Sequence, residues 1–152
     1  MPELRPYQIE DINFLATMKR SACFNEQRTG KTPTSLLTMQ KLGVQKKLII
    51  CPASAIYQWK EEYETWLGEP CIVMAGTPTK RAKLLPSWTH GLVVSYDTFK
   101  NTQRYTGMVQ SLLDEKPQGV ILDEAHRIKD TSSDACRAAM KCRHIPFRID
   151  RK

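Results

Sequence analysis

Two short stretches of this chain carry residue types that could do chemistry on a phosphate. The first, "NEQRTGKTPTS" at residues 25–35, contains Gly30-Lys31-Thr32. A Gly-Lys-Thr that follows a strand and opens a helix turns backbone amides and a helix N-terminus toward one point, which makes a cradle for an anion. Lys31 then adds a point charge for terminal phosphates, and the Thr32 hydroxyl offers a coordination place to Mg²⁺. The pattern GxxxxGK[ST] asks for glycine where Asn25 stands, so this stretch alone leaves a chance turn lysine as an alternative. The second stretch, "VILDEAHRIKD" at 120–130, places Asp123 92 residues beyond Lys31. Here Asp123 and Glu124 end a continuous apolar run, where one carboxylate can hold magnesium and the next can polarise a water for attack on a γ-phosphate. Taken singly this is also how a solvated acidic turn reads. The two together, each at the end of a predicted strand, point to a nucleoside triphosphate with Mg²⁺.

Such residues need a sheet to hold them in register. Four apolar runs, "KLIIC" (47–51), "CIVMA" (71–75), "GLVVS" (91–95) and "GVILD" (119–123), lack in/out alternation and are rich in Val, Ile and Leu. Strands buried on both faces read this way. "SACFN" at 21–25 is the strand expected to feed the phosphate loop. Helical spacing appears between the runs: Ile9, Ile12 and Leu15 behind Pro6; Leu36, Leu37 and Met39; Ile56, Trp59, Tyr63 and Trp66; Met108, Val109, Leu112 and Leu113. Alternating strands and helices predict an α/β fold in three layers, a mostly parallel sheet with helices on both faces. In such sheets ligands sit at the carboxyl ends of the strands, where both chemical stretches fall.

The chain has 152 residues, 41% hydrophobic and 26% charged, which is the size and composition of one domain with its own core. Lys and Arg outnumber Asp and Glu by 23 to 16, a formal charge of +7 that favours an anionic partner such as nucleic acid. Six basic residues (Arg137, Lys141, Arg143, Arg148, Arg151, Lys152) crowd the last 18 positions against Asp150, either a solvated face or a binding surface. No apolar run reaches the roughly 18 residues of a membrane span, and Glu3, Glu10 and Asp11 stand where a signal peptide would be basic and then apolar. An intracellular setting without a membrane partner is expected. Cys23, Cys51 and Cys71 fall in or beside apolar runs and no CxxC occurs, so they read as reduced core thiols.

Four motifs in order resemble the first, N-terminal RecA-like lobe of a superfamily-two helicase, specifically the SWI/SNF-like branch of DNA translocases. "LRPYQIEDINFL" (4–15) resembles the adenine-reading segment, "NEQRTGKT" motif I, "LIICPASAIYQWKEEYETW" (48–66) motif Ia and "VILDEAHRIKD" motif II, a DEAH box; "VVSYDTF" (93–99) is a looser match to motif Ib. Members of this superfamily do not generally keep the first phosphate-loop glycine, which removes the objection at Asn25. The resemblance implies ATP held by Thr29, Gly30, Lys31 and Thr32, with Arg5 near the base or ribose and Gln8 on the adenine edge. It implies Mg²⁺ on Thr32 and Asp123, catalysis through Lys31, Asp123 and Glu124, and coupling to the opposite lobe through His126. It also implies contacts from Pro52, Ala53, Ser54, Ser95 and Tyr96 to one strand of duplex DNA. These would be phosphate contacts, which fix register without reading bases. Lys60, Lys80, Arg81 and Lys83 could add attraction. Without the resemblance, Gln8 is a polar residue on an amphipathic helix, His126 a hydrogen-bonded turn residue, and the lysines surface lysines. Arg28, where many relatives have glycine, is expected to lie outward or to pair with a carboxylate.

The resemblance covers nearly all of 1–152 as a single lobe. "CRHIPFRIDRK" begins the strand that in the family leads into motif III, and a second RecA-like lobe with an arginine finger follows there. The expected function is therefore the ATP-binding lobe of a DNA-dependent ATPase or helicase-like translocase. Its hydrolysis would be completed by a second lobe in cis or in trans. The alternative is a non-catalytic nucleotide- or DNA-binding protein that regulates or competes with a full-length translocase. A small kinase is a third reading, disfavoured by the Asp-Glu-Ala-His sequence.

Overall fold

A computed structural model of the chain describes residues 3–15, 20–23, 31–102, 106–125 and 133–151. Its elements in chain order are α1 (Pro6–Leu15), β1 (Arg20–Cys23), α2 (Lys31–Lys41), β2 (Lys47–Cys51), α3 (Ile56–Leu67), β3 (Cys71–Met74), α4 (Pro78–Leu84), β4 (Gly91–Ser95), α5 (Tyr96–Phe99), α6 (Val109–Asp114), β5 (Gly119–Leu122), α7 (Asp134–Lys141) and β6 (Phe147–Arg151). The six strands form one sheet in the order β1-β6-β5-β2-β4-β3, and every pairing is parallel. All strand carboxyl ends therefore share one edge.

The pleat sorts the apolar runs into two cores. Leu48 and Ile50, Leu92 and Val94, and Val120 and Leu122 face one side, where they meet Tyr96, Phe99, Val109, Leu112, Ala138 and Ala139 of α5, α6 and α7. Ile49, Cys51, Val93, Ile121 and Ile149 face the other side, against Leu36 and Met39 of α2 and Trp59, Tyr63 and Leu67 of α3. This is the three-layer α/β arrangement that runs without alternation require, because both faces of each central strand are covered. The helix α1 packs outside α2, with Lys41 Nζ donating to Asn13 Oδ1.

Two glycines set how closely the α2/α3 layer approaches. A Cβ at Gly91 would meet the Tyr63 ring at 2.6 Å, and one at Gly119 would meet Met39 Sδ at 2.7 Å. Beside them, at the amino end of β2, the Lys47 side chain is 1% exposed and pairs with Glu69 at 3.1 Å. The Tyr63 hydroxyl donates to the same carboxylate oxygen at 2.9 Å. This buried pair lies at the opposite end of the sheet from Asp123. Cys51, Cys71, Cys136 and Cys142 are buried thiols outside any disulfide, and burial pushes Cys71 and Cys142 up to about 12.

Candidate functional site

The site builds from the carboxyl end of β5. Asp123 follows Leu122 and extends the ladder by one residue, its N–H donating to Ile50 O at 2.8 Å. By the two-residue period of the strand its side chain falls on the same face as Ile121, the α2/α3 face. There Trp59 of α3, itself 3% exposed, donates from Nε1 to Asp123 Oδ2 at 2.9 Å. Oδ1 accepts the N–H of Glu124 at 3.0 Å. From the opposite layer Tyr96 donates its hydroxyl to the Asp123 carbonyl at 2.7 Å. Asp123 is only 8% exposed and is gripped from both sides of the sheet, so its carboxylate has one orientation. Burial, with the Asp123 and Asp150 carboxylates adding to it, raises the Tyr96 phenol well above its ordinary range, so it stays a donor.

The next residue, Glu124, has φ of +54°, a left-handed conformation that a residue with a Cβ adopts at a cost of about 1–3 kcal/mol. Its backbone turns sharply out of the strand, and the side chain is half-buried at the sheet edge. Lys31 and Thr32 open α2, the helix whose buried face carries Thr34, Ser35, Leu36, Thr38 and Met39. The strand β1, which precedes α2 in the chain, is joined to β5 through β6, which pairs with both. Thr29, Gly30 and His126, with Asn25 and Arg28, lie outside the described residues.

Gln8 is buried, at 5% exposure. Its Oε1 accepts the Arg5 N–H at 2.8 Å, closing the first turn of α1 as the returning half of a capping box. Arg5 is exposed. Both line a cleft between α1, the start of α2 and the outer side of α3. Of the residues set against DNA, Ala53 and Ser54 are exposed and Pro52 is half-buried, in the turn between β2 and α3. Ser95 and Tyr96 are buried at 6% and 8%. The Ser95 hydroxyl caps α5 by accepting Thr98 N–H at 3.1 Å, and Tyr96 grips Asp123. Pro52, Ala53, Tyr96, Lys100 and Ser133 share one hollow on this edge with Asp97 and Asp134, and Lys100 pairs with Asp97 at 3.2 Å.

Local pairing takes up part of the positive charge. Lys60 pairs with Glu64, Arg137 with Asp134 at 3.3 Å, and Arg148 donates two hydrogen bonds to Asp150, at 2.7 and 3.3 Å. Lys80 and Lys83 are exposed on α4. The structure thus brings together Asp123, Glu124, the start of α2, the Pro52–Ser54 turn and Ser95-Tyr96 along one edge. It adds two residues that sequence reasoning did not place there, Trp59 and Lys100. A signal for Trp59 existed, since an indole on a core stripe must still find an acceptor for its N–H.

Comparison with known proteins bears on the family and the fold. The profile of the SNF2-related domain matches residues 8–146. The chain is 28% identical to the DNA repair protein rhp54 of Schizosaccharomyces pombe, over 86% of this chain and 18% of that protein. It is 29% identical to the chromatin-remodeling ATPase INO80 of the same yeast, over 95% of this chain and 10% of the relative. For the helicase SWR1 of Candida albicans the figures are 28%, 90% and 9%. The chain therefore spans less than a fifth of each of these relatives. Among solved structures, the SWI2/SNF2 ATPase core of Sulfolobus solfataricus in complex with double-stranded DNA superposes with a TM-score of 0.82 at 20% identity. That match covers 99% of this chain and 32% of the core, and it bears on the fold, a RecA-like lobe.

Proposed function

Because the chain belongs to the SNF2-related domain family, we propose that it is the ATP-binding lobe of a DNA-dependent ATPase of translocase type, with hydrolysis completed by a second lobe. The observation that carries this reading is the fixed carboxylate at the end of β5: Asp123 is held by Trp59 on one face and through its carbonyl by Tyr96 on the other.

The donor set fits magnesium. Among the described residues no group of three or more His, Cys, Asp or Glu could cage a metal, and Mg²⁺ in nucleotide sites relies on one or two protein oxygens plus phosphates and water. Asp123 and Thr32 would hold it; when bound, it neutralises charge that develops on the phosphates. Lys31, with the amides of Thr29 and Gly30, binds and orients the triphosphate. Glu124, turned out of the strand by its positive φ, orients the attacking water and takes its proton. Gln8 and Arg5 hold the base, and His126 couples the site to the other lobe.

The exposed Ala53-Ser54 turn supports a contact with the phosphates of one DNA strand, with Ser95 and Tyr96 shaping that edge from beneath. Binding of this kind is independent of sequence and falls steeply with salt. An intracellular, nucleic-acid-associated setting follows from this reading; among the described residues no helix is long and apolar enough to cross a membrane.

The test is ATP hydrolysis with and without duplex DNA, by this chain alone and by this chain supplied with a second RecA-like lobe, fused or in trans. An arginine finger is worth about 10³–10⁵ in rate. The chain alone is expected to bind Mg-ATP, lose that binding in Lys31→Ala, and turn over negligibly, with DNA-stimulated turnover appearing when the second lobe is present. Robust DNA-stimulated turnover by the chain alone, abolished by Glu124→Gln, would show that it completes its own site. Unchanged Mg-ATP affinity in a folded Lys31→Ala variant would reject the phosphate-loop assignment.

A further inference from the structure

The segment that carries the exposed Ala53-Ser54 turn is bonded to Asp123 on both sides of that turn. Before it, near the end of β2, Ile50 O accepts the Asp123 N–H at 2.8 Å. After it, in the first turn of α3, Trp59 Nε1 donates to Asp123 Oδ2 at 2.9 Å. Ile50 and Cys51 are fully buried and Trp59 nearly so, whereas Ala53–Ala55 between them buries no residue. The turn is therefore the least anchored part of a stretch whose two ends are fixed. A second segment on the same edge, the one leaving β4, reaches the same residue. There the Tyr96 hydroxyl donates to the Asp123 carbonyl at 2.7 Å, and Tyr96 shares a hollow with Pro52 and Ala53. Strand order makes this possible, since β5, β2 and β4 are neighbours in that sequence.

A close-packed interior passes a small displacement on rather than absorbing it, so a change at the turn is felt at the carboxylate. Two opposing effects then link a ligand at the turn to one at Asp123. Two polyanions held on one lobe repel, so direct electrostatics make each weaken the other. A turn and grip ordered by the first ligand meet the second already ordered, which makes each strengthen the other. The sign of the coupling separates the two.

We propose that Trp59 and Tyr96 are positioning residues that couple duplex DNA to the magnesium carboxylate. A phosphate contact at the Ala53-Ser54 turn fixes the bonds from Ile50, Trp59 and Tyr96 that orient Asp123, and so raises the affinity for Mg-ATP. This rests on the ATP and DNA reading above and names how the two ligands communicate. It also gives Tyr96, 8% exposed, a part in the DNA response that needs no contact with DNA.

The test is thermodynamic and needs no turnover. Mg-ATP is titrated calorimetrically into the full chain with and without a saturating short duplex at low salt, and a fluorescent duplex is titrated by anisotropy with and without Mg-ATP. Linkage requires one coupling factor to describe both, and a factor of about 5 or more in the favourable direction is expected. Because the factor is a ratio of affinities, a change in the binding of either ligand alone cancels out of it. Tyr96→Phe and Trp59→Phe, which each remove one donor and keep a ring, should bring it close to one; Tyr96→Phe decides alone where Trp59→Phe does not fold. Tyr63→Phe is the matched control, removing a buried hydroxyl that donates to Glu69 at the opposite end of the sheet, and should keep the factor. A factor of one or below in the unsubstituted chain, a factor that survives Tyr96→Phe, or one lost equally in Tyr63→Phe overturns the proposal. If Mg-ATP or the duplex fails to bind at all, the reading beneath it fails as well. If both bind, with the ATP affinity lost in Lys31→Ala, but do so independently, that reading stands and this proposal is rejected.

Discussion

Replacing Trp59 with phenylalanine removes the N–H that orients Asp123 while leaving an aromatic ring in the α3 core. The hydrogen bond is 2.9 Å long and buried, and its acceptor is a carboxylate, so its loss costs about 1.5–3 kcal/mol. The missing part of the indole, from a side chain 3% exposed, adds about 1 kcal/mol of lost burial. The expected destabilisation is about 2.5–4 kcal/mol, a large share of the roughly 5–15 kcal/mol that holds a typical domain folded. Urea unfolding followed by far-ultraviolet circular dichroism measures it, as a fall in midpoint with an unchanged slope. A double-mutant cycle with Asp123→Ala separates the hydrogen bond from packing and should give a coupling of about 1–3 kcal/mol. A Trp59→Phe loss below about 1 kcal/mol, or zero coupling in the cycle, would refute the claim that the indole fixes this carboxylate.

Removing Glu69 strands the Lys47 ammonium in the core, so Glu69→Ala should destabilise by about 3 kcal/mol in the same assay, whereas Lys47→Met should cost clearly less. Cys71 and Cys142 have ordinary values near 9 that burial raises to about 12. Their contribution to stability is therefore fully present below about pH 9 and is lost as pH climbs toward 12, because the unfolded chain ionises first. Cys71→Ala should therefore lose less of its own neutral-pH stability at alkaline pH than the unsubstituted chain loses. In a protein carrying both lobes, Asp123→Asn should weaken the Mg²⁺ dependence of ATP binding, while Glu124→Gln should keep binding and stop hydrolysis, as read by titration and phosphate release.

Burial on both faces made the strands legible. The runs at 47–51 and 91–95 coincide with β2 and β4, and β5 stops one residue short of its run because Asp123 leaves the ladder at its own carbonyl. Helix α3 was found, but its buried stripe is Trp59, Tyr63 and Leu67 rather than one ending at Trp66, which turns toward the cleft. Helix α4 escaped notice because it buries no residue; its sequence signals were Thr77 as cap and Pro78 in the first turn. For the site, the carboxylates at the end of β5 and the start of α2 could be read from residue type and context. The grip on Asp123 could not, since Trp59 and Tyr96 reach it across 64 and 27 positions of chain. Lys47 was equally opaque: a lysine at the head of an apolar run reads as a solvated end until Glu69 and Tyr63 are placed around it.

The insertion of β6 between β1 and β5 has a consequence for how the chain is made. A ribosome delivers β1 some 100 residues before the Asp123 strand, yet these two do not touch each other in the sheet. Until residues 147–151 emerge, β5, β2, β4 and β3 can zip together while β1 has no neighbour to pair with. The two halves of the proposed nucleotide site are thus unlinked until β6 emerges. Closing so long a loop is slow relative to local pairing. A nascent chain stalled before Phe147 would hold Asp123 in order and leave β1 unpaired, so the proposed nucleotide affinity should arise abruptly as β6 is threaded into the gap.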